Sequence, residues 1–167
     1  MDDTLEETPQ PLKEKPVLRR RSLARLVAVQ AYYQLEVGEE TLEQVILQFQ
    51  THHLTKQNKP FSLADKKFFV ELIRGAYGAQ ERLDPLIQAC LSDWKLNRLD
   101  CVVRAILRLG AFELSDNLHL SSAIILNEYI DVTKAFSDEK EPAFVNGVLN
   151  CLIGKLRPSP DEQKNPS

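Results

Sequence analysis

Apolar residues recur at steps of three and four along almost the whole chain, from Leu23 to Leu156, and this periodicity constrains the fold more than any other feature. Leu23, Leu26, Val27, Ala31 and Tyr33 form one stripe, which ends where Gly38 can cap a first helix from Ser22. Thr41 followed by Gln44 has capping-box spacing, and Leu42, Val45, Ile46 and Phe49 carry a second helix until the polar run Thr51 to Pro60. Ser62 is placed as the cap of a third helix with Phe68, Phe69, Leu72, Ile73 and Tyr77 on its apolar face. Asp84-Pro85 supplies a cap and first-turn proline for a fourth. A fifth runs from Leu99 to Leu114, a sixth starts at Ser121 or Ser122, and Pro142 opens a seventh that closes at Leu156 before Pro158 and Pro160. No segment shows sustained period-two alternation between hairpin turns. The expected class is all-α, a compact bundle of about seven helices.

With 167 residues and 43% hydrophobic side chains, the chain can bury one sizeable core. Residues 1–16, with Asp2, Asp3, Glu6, Glu7 and Glu14 and almost no large apolar side chain, are expected to be a disordered acidic leader; 17–157 form the helical domain and 158–167 a disordered tail. Net charge is −3, but acid and base are segregated between that leader and the arginines after it, so distribution matters more than total. No apolar run approaches the roughly 18–20 residues that span a bilayer, and no signal-peptide core is visible, which predicts a cytoplasmic protein. Cys90, Cys101 and Cys151 are odd in number and sit in apolar helical pattern, as reduced core cysteines do. His52, His53 and His119 lie in polar connections without ligands at metal spacing, so neither metal nor cofactor is expected. Phosphate loops, nucleophile elbows and His-Cys or His-Glu sets are missing as well, which leaves no catalytic constellation.

Binding residues are easier to nominate. Arg19, Arg20, Arg21 and Arg25 stand at and before the expected start of the first helix, where the helix dipole slightly disfavours cations. Arg21 and Arg25 share a face, and Arg19 and Arg20 precede them on backbone expected to be flexible, which suits phosphate contacts and stacking on bases. A solvated basic helix start is the alternative. At least one of Tyr32 and Tyr33 must face the polar flank, where it would stack a base; core packing is the alternative. Arg104 and Arg108, four apart and read as opposite the apolar positions of the fifth helix, form a second basic strip or pair with Asp100 and Glu113. Asn127-Glu128 reads as a structural hydrogen-bonding element. Phe144 and Asn146 combine an aromatic and an amide near a helix start, a pair able to hold an unpaired base or to serve as core and cap. Gly147 costs its helix about 1 kcal/mol relative to Ala, which points to a close contact or an approaching ligand.

Four motifs in order, Arg19-Arg20-Arg21 leading to Ala28-Val29-Gln30-Ala31, then Ile106-Leu107-Arg108 through Glu113-Leu114, then Asn127-Glu128, then Phe144-Val145-Asn146-Gly147-Val148-Leu149, resemble the NusB family of bacterial antitermination factors. The resemblance spans about Arg19 to Arg157 and implies seven helices in two packed three-helix subdomains. It implies binding of single-stranded boxA RNA of ribosomal RNA transcripts with the ribosomal protein NusE, joining the RNA polymerase elongation complex and other Nus factors to suppress termination. By the same resemblance Arg19 to Arg25 match the RNA-binding arm, and Tyr33, Arg104, Arg108, Phe144 and Asn146 match the RNA- and partner-facing surface. Val103, Ala143 and Asn150 depart from residues frequent in the family. A helical protein-binding adaptor or homodimer is the competing reading. So is a relative of the NusB-like module of RNA cytosine methyltransferases, whose cofactor loop and Pro-Cys nucleophile this chain lacks.

Overall fold

Four of the helices start where a side-chain oxygen, from Thr41, Asp65, Asp100 or Ser121, accepts from an amide that the first turn leaves unpaired. The computed structural model describes residues 16–137 and 139–159, which form seven α-helices: α1 Pro16–Val37, α2 Leu42–Gln48, α3 Lys66–Gly78, α4 Gln80–Ala89, α5 Cys101–Asp116, α6 Ser122–Phe136 and α7 Glu141–Leu156. No strand occurs among the described residues, so the all-α expectation holds. Thr41 and Gln44 form the anticipated capping box. Asp100 accepts from the Val102 amide at 2.9 Å to start α5, Ser121 from Ile124 at 3.3 Å to start α6, and Pro142 sits in the first turn of α7.

Several boundaries differ from the sequence reading. The α1 helix begins at Pro16 rather than Ser22, so Arg19, Arg20 and Arg21 are helical instead of preceding the helix. The leader expected over 1–16 lies outside the described residues except for Pro16, and so does most of the tail. Asp65, not Ser62, caps α3, its carboxylate accepting from the Phe68 amide at 3.0 Å, because Ser62 is taken up in a single 3-10 turn, Phe61–Leu63. The fourth helix starts at Gln80 and passes through Pro85, since the Asp84 carboxylate is drawn into a tertiary ion pair instead of a cap. One π-helical turn, Phe49–His53, extends α2 and stacks His53 on Phe49 with ring centroids 4.1 Å apart, so His53 is not a solvated loop histidine.

α1, α2 and α3 pack as one group and α5, α6 and α7 as the other, with α1 and α3 both lying on α5. The α4 helix bridges them, resting on α5 and reaching α7. Central α5 is buried almost all round, through Val103, Ala105, Ile106, Leu107, Leu109, Ala111 and Leu114, and its charged Arg104, Arg108 and Glu113 are buried with them. Close approach of α3 requires Gly75: the Phe112 ring occupies the space a Cβ would fill. Arg157, just past α7, donates to the carbonyls of Leu114 at 2.8 Å, Leu120 at 2.7 Å and Asn117 at 2.8 Å, closing the C-terminal end of α5.

Cys90 and Cys151 depart from the reduced-cysteine expectation. They are joined as a disulfide between the end of α4 and α7, with Cα atoms 5.8 Å apart, while Cys101 is free. Their separation of 61 residues hides a proximity that only the α4–α7 packing creates.

Arg25 bolts the two groups together. On α1 it is 1% exposed, and its guanidinium donates twice to Glu113 of α5, Nε to Oε2 at 2.7 Å and Nη2 to Oε1 at 2.9 Å. The Tyr129 hydroxyl of α6 donates to the same carboxylate at 2.6 Å. Burial by itself would lower the Arg25 pKa, but the hydrogen bond and charge of Glu113 outweigh it and carry it above its ordinary value. Burial, and then the Glu113 charge, push the Tyr129 phenol well up. Glu128 closes the cluster, accepting from Ser22 Oγ at 2.7 Å and lying 3.5 Å from Arg25 Nη1; of the Asn127-Glu128 pair expected to be structural, Glu128 takes that role and Asn127 is exposed.

Two stability tests follow. Removing one partner strands a buried charge, so Arg25→Ala and Glu113→Ala are each expected to cost about 3–5 kcal/mol in urea denaturation. The double variant should cost well below their sum, and additive costs would refute the coupling. Gly75→Ala should lose about 1–3 kcal/mol through overlap with Phe112, an effect that Phe112→Leu should partly relieve.

Candidate nucleic-acid interface

Seven-helix packing sorts the nominated arginines into two kinds. Arg25, Arg104 and Arg108 are buried and paired. Arg104 and Arg108 are not opposite the apolar face of α5, as the sequence reading had it; both are 8% exposed and meet Glu36 at the end of α1. Arg104 Nε donates to Glu36 Oε1 at 2.5 Å and its Nη1 to the carbonyls of Leu96 at 3.1 Å and Leu99 at 2.9 Å. Arg108 donates to both oxygens of Asp84 on α4, at 3.0 and 2.9 Å, and lies over the buried Tyr32 ring at 5.9 Å. Burial lowers the Arg108 pKa, but the hydrogen bond to Asp84 together with the charge interactions of Tyr32, Asp84 and Glu36 outweighs it, and the net shift is upward. The Tyr32 phenol is pushed up by its burial, Arg108 opposing, and donates to Gln80 at 2.5 Å. The alternative to a basic strip paired these arginines with Asp100 and Glu113. Asp100 instead caps α5 and Glu113 holds Arg25.

Arg19, Arg20 and Arg21 are the other kind. Arg19 and Arg20 are exposed and Arg21 half-buried, and among the described residues none of the three makes an ion pair. Arg20 Nε donates to the Leu63 carbonyl at 3.2 Å, and the Arg21 guanidinium lies 4.7 Å from the Phe68 ring centroid. Arg21 and Arg25 do share a face, since Arg25 approaches the same ring at 5.0 Å, but that face turns toward α3 and only Arg21 reaches its rim. Beside Arg19 runs a cleft of about 330 Å³ between α1 and α6, lined by Ser22, Leu23, Leu26, Glu128, Asp131, Val132 and Ala135. Tyr33 is 42% exposed but stands fourteen residues along α1 from Arg19, about 21 Å by helical rise, so the two do not grip one base.

Phe144 and Asn146 also separate. Unbroken α7 turns positions two apart about 200° around the helix axis, so aromatic and amide do not form the joint base clamp expected from sequence. Asn146 instead receives Asn150 Nδ2 on its backbone carbonyl at 3.0 Å and on Oδ1 at 3.2 Å. Phe144 joins Trp94, Leu99 and Val103 in an apolar cleft of about 360 Å³ rimmed by Asp100, Lys140 and Glu141. Trp94, 61% exposed in the α4–α5 connection, was assigned no role from sequence, although a lone tryptophan in a polar connection was the available signal. A neighbouring cleft of about 340 Å³ shares Asp100, Val103 and Glu141 with it and continues to Thr133 and Phe136 on α6. A Cβ at Gly147 would meet nothing within 4 Å, so no intramolecular contact explains the glycine and that side of α7 is open. No group of His, Cys, Asp or Glu suited to a metal ion occurs among the described residues. No described helix is long and apolar enough to cross a membrane.

Comparison with known proteins agrees with this arrangement. The pattern of the NusB family matches residues 22–153, beginning just after the three outer arginines. The transcription antitermination protein NusB of Rhizobium johnstonii is 40% identical over 152 residues, covering 88% of this chain and 95% of the relative. NusB of T. maritima superposes with a TM-score of 0.68 at 28% identity, over 86% of this chain and 95% of that one. A crystal structure of antitermination factors NusB and NusE in complex with dsRNA gives a TM-score of 0.68 at 28% identity, over 82% and 98% of the respective chains. By the family pattern that spans most of it and by relatives 40% identical over nearly their whole length, the chain belongs to the NusB family.

Proposed function

We propose that this protein is a transcription antitermination factor: it binds single-stranded boxA RNA together with NusE and joins the RNA polymerase elongation complex, with other Nus factors, to suppress termination. Its action is non-catalytic and its place of work the cytoplasm. The observation that carries the RNA half is the contrast between the arginines. Arg25, Arg104 and Arg108 each have a carboxylate, whereas Arg19, Arg20 and Arg21 line the start of α1 with none among the described residues. Unmatched cations on a rigid helix offer phosphate contacts and, through the flat guanidinium, stacking on unpaired bases. Arg25, Arg104 and Arg108 act one step back, holding α1, α4 and α5 so that the outer three keep their spacing.

The protein half rests on Trp94 and Phe144. A Trp-lined apolar cleft with a charged rim has the composition of a protein-docking hot spot, and NusE is the partner we assign to it.

Labelled boxA-like RNA, with and without NusE, against a scrambled RNA of equal length is the direct test. Preference for boxA that strengthens with NusE is expected; no preference in either setting would replace this reading with a protein-binding adaptor. Replacing Arg19, Arg20 and Arg21 with Ala should lower the slope of log K against log salt by about 2, at about 0.7 per lost phosphate contact. An unchanged slope would remove these residues from the site. Trp94→Ala should weaken NusE about thirtyfold or more, as hot-spot truncations do, without altering binding of RNA by the protein alone.

A further inference from the structure

The Cys90–Cys151 pair lines none of the clefts described above, and its setting differs from that of a structural disulfide in a core. Cys90 ends α4 and is half-buried, while Cys151 is exposed on the outer face of α7. Gly147 and Gly154 stand one turn to either side of Cys151 on that face, and a Cβ at either would meet nothing within 4 Å, so the surface flanking exposed Cys151 is open to a small molecule. Elsewhere α4 is held by Leu83 and Ile87 in the core, the Asp84–Arg108 pair and the Gln80–Tyr32 hydrogen bond. Past Ile87, Gln88 ties the last turn only to the connection that follows, donating to the Trp94 carbonyl at 2.8 Å and accepting from the Leu96 amide at 2.9 Å, and the bridge is its covalent tie to α7.

We infer that Cys90 and Cys151 form a thiol–disulfide exchange site, a reversible latch between α4 and α7 that low-molecular-weight thiols open by attack on Cys151. The thiolate attacks Cys151 Sγ, forming a mixed disulfide, and the electron pair of the broken bond leaves on Cys90 Sγ, which takes up a proton. A second thiolate attacks the small-molecule sulfur of the mixed disulfide and releases Cys151 as a thiolate. Two small thiols are oxidised to their disulfide while the protein bridge is reduced to two thiols. The reverse sequence, with the small disulfide as oxidant, closes the latch. Attack at Cys151 rather than Cys90 follows from access, because rate depends on which sulfur the thiolate can reach.

The test uses the full chain carrying Cys101→Ser, so that only the pair can react. The protein is equilibrated across ratios of reduced to oxidised glutathione, quenched, alkylated and weighed intact. Bridged and two-thiol forms should interconvert with the ratio while the protein stays folded, and closing the bridge should raise Tm by about 5–15 °C, the size expected for a loop this long in a chain of this length. Glutathione should be retained on Cys151 in the Cys90→Ser variant and be taken up at least about tenfold more slowly on Cys90 in Cys151→Ser. Both thiols alkylating at every ratio, a bridge that glutathione opens only after unfolding, an unchanged Tm, or equal uptake by the two variants would each overturn the proposal.

Discussion

Glu113 is a carboxylate taken wholly out of water, and the architecture depends on how it is satisfied. A buried charge costs several kcal/mol unless paired with good geometry and further hydrogen bonds, and here a bidentate guanidinium and a phenol supply both. Because the donors sit on α1 and α6 while the acceptor sits on α5, satisfying the charge joins three helices from both halves of the bundle. It also sets the rotation of α1 about its own axis. With Arg25 turned inward, Arg21, one turn earlier, comes to the rim beside Phe68. Arg19 and Arg20, some 120–140° around the helix by its geometry, are thrown outward. The outer basic surface is therefore a consequence of the inner ion pair.

The Glu36 cluster does the same at the other end of α1. One carboxylate faces two guanidiniums, and Asp84 from α4 supplies the second negative charge that Arg108 needs. Arginine suits these positions because its planar fork donates in several directions at once, as Arg104 does to Glu36, Leu96 and Leu99; a lysine ammonium would leave some of those acceptors unmet. Two polar clusters thus fasten α1 at its middle and at its C-terminal end, and between Arg25 and Glu36 the helix presents small or apolar residues, Val27, Ala28 and Ala31, to the core.

On α7 the inner and outer sides have separate tasks. Val145, Val148, Leu149 and Leu152 fill the core, whereas Gly147, Cys151 and Gly154 leave the outer side low and accessible. Phe144 at its start faces Trp94, which follows α4, so one helix contributes to an apolar cleft and, two turns later, to the covalent link with α4.

Local features of the chain were sufficient for what depends on neighbours a few residues away. The seven-helix count, the Thr41–Gln44 capping box, the Ser121 cap and the first-turn Pro142 all follow from short-range hydrogen bonding and the 3.6-residue period, and the order of motifs indicated the family. Tertiary structure decided everything that needed a distant partner: that Arg25, Arg104 and Arg108 face carboxylates rather than solvent, that Asp84 leaves its capping role, that Phe144 and Asn146 diverge, and that Cys90 finds Cys151. The apolar spacing around Glu113 hinted at its burial, but no local rule names Arg25, 88 residues away, as its partner. A charged side chain carries the same letter whether it is solvated or neutralised, and only packing, by removing water from one side of a helix, determines which.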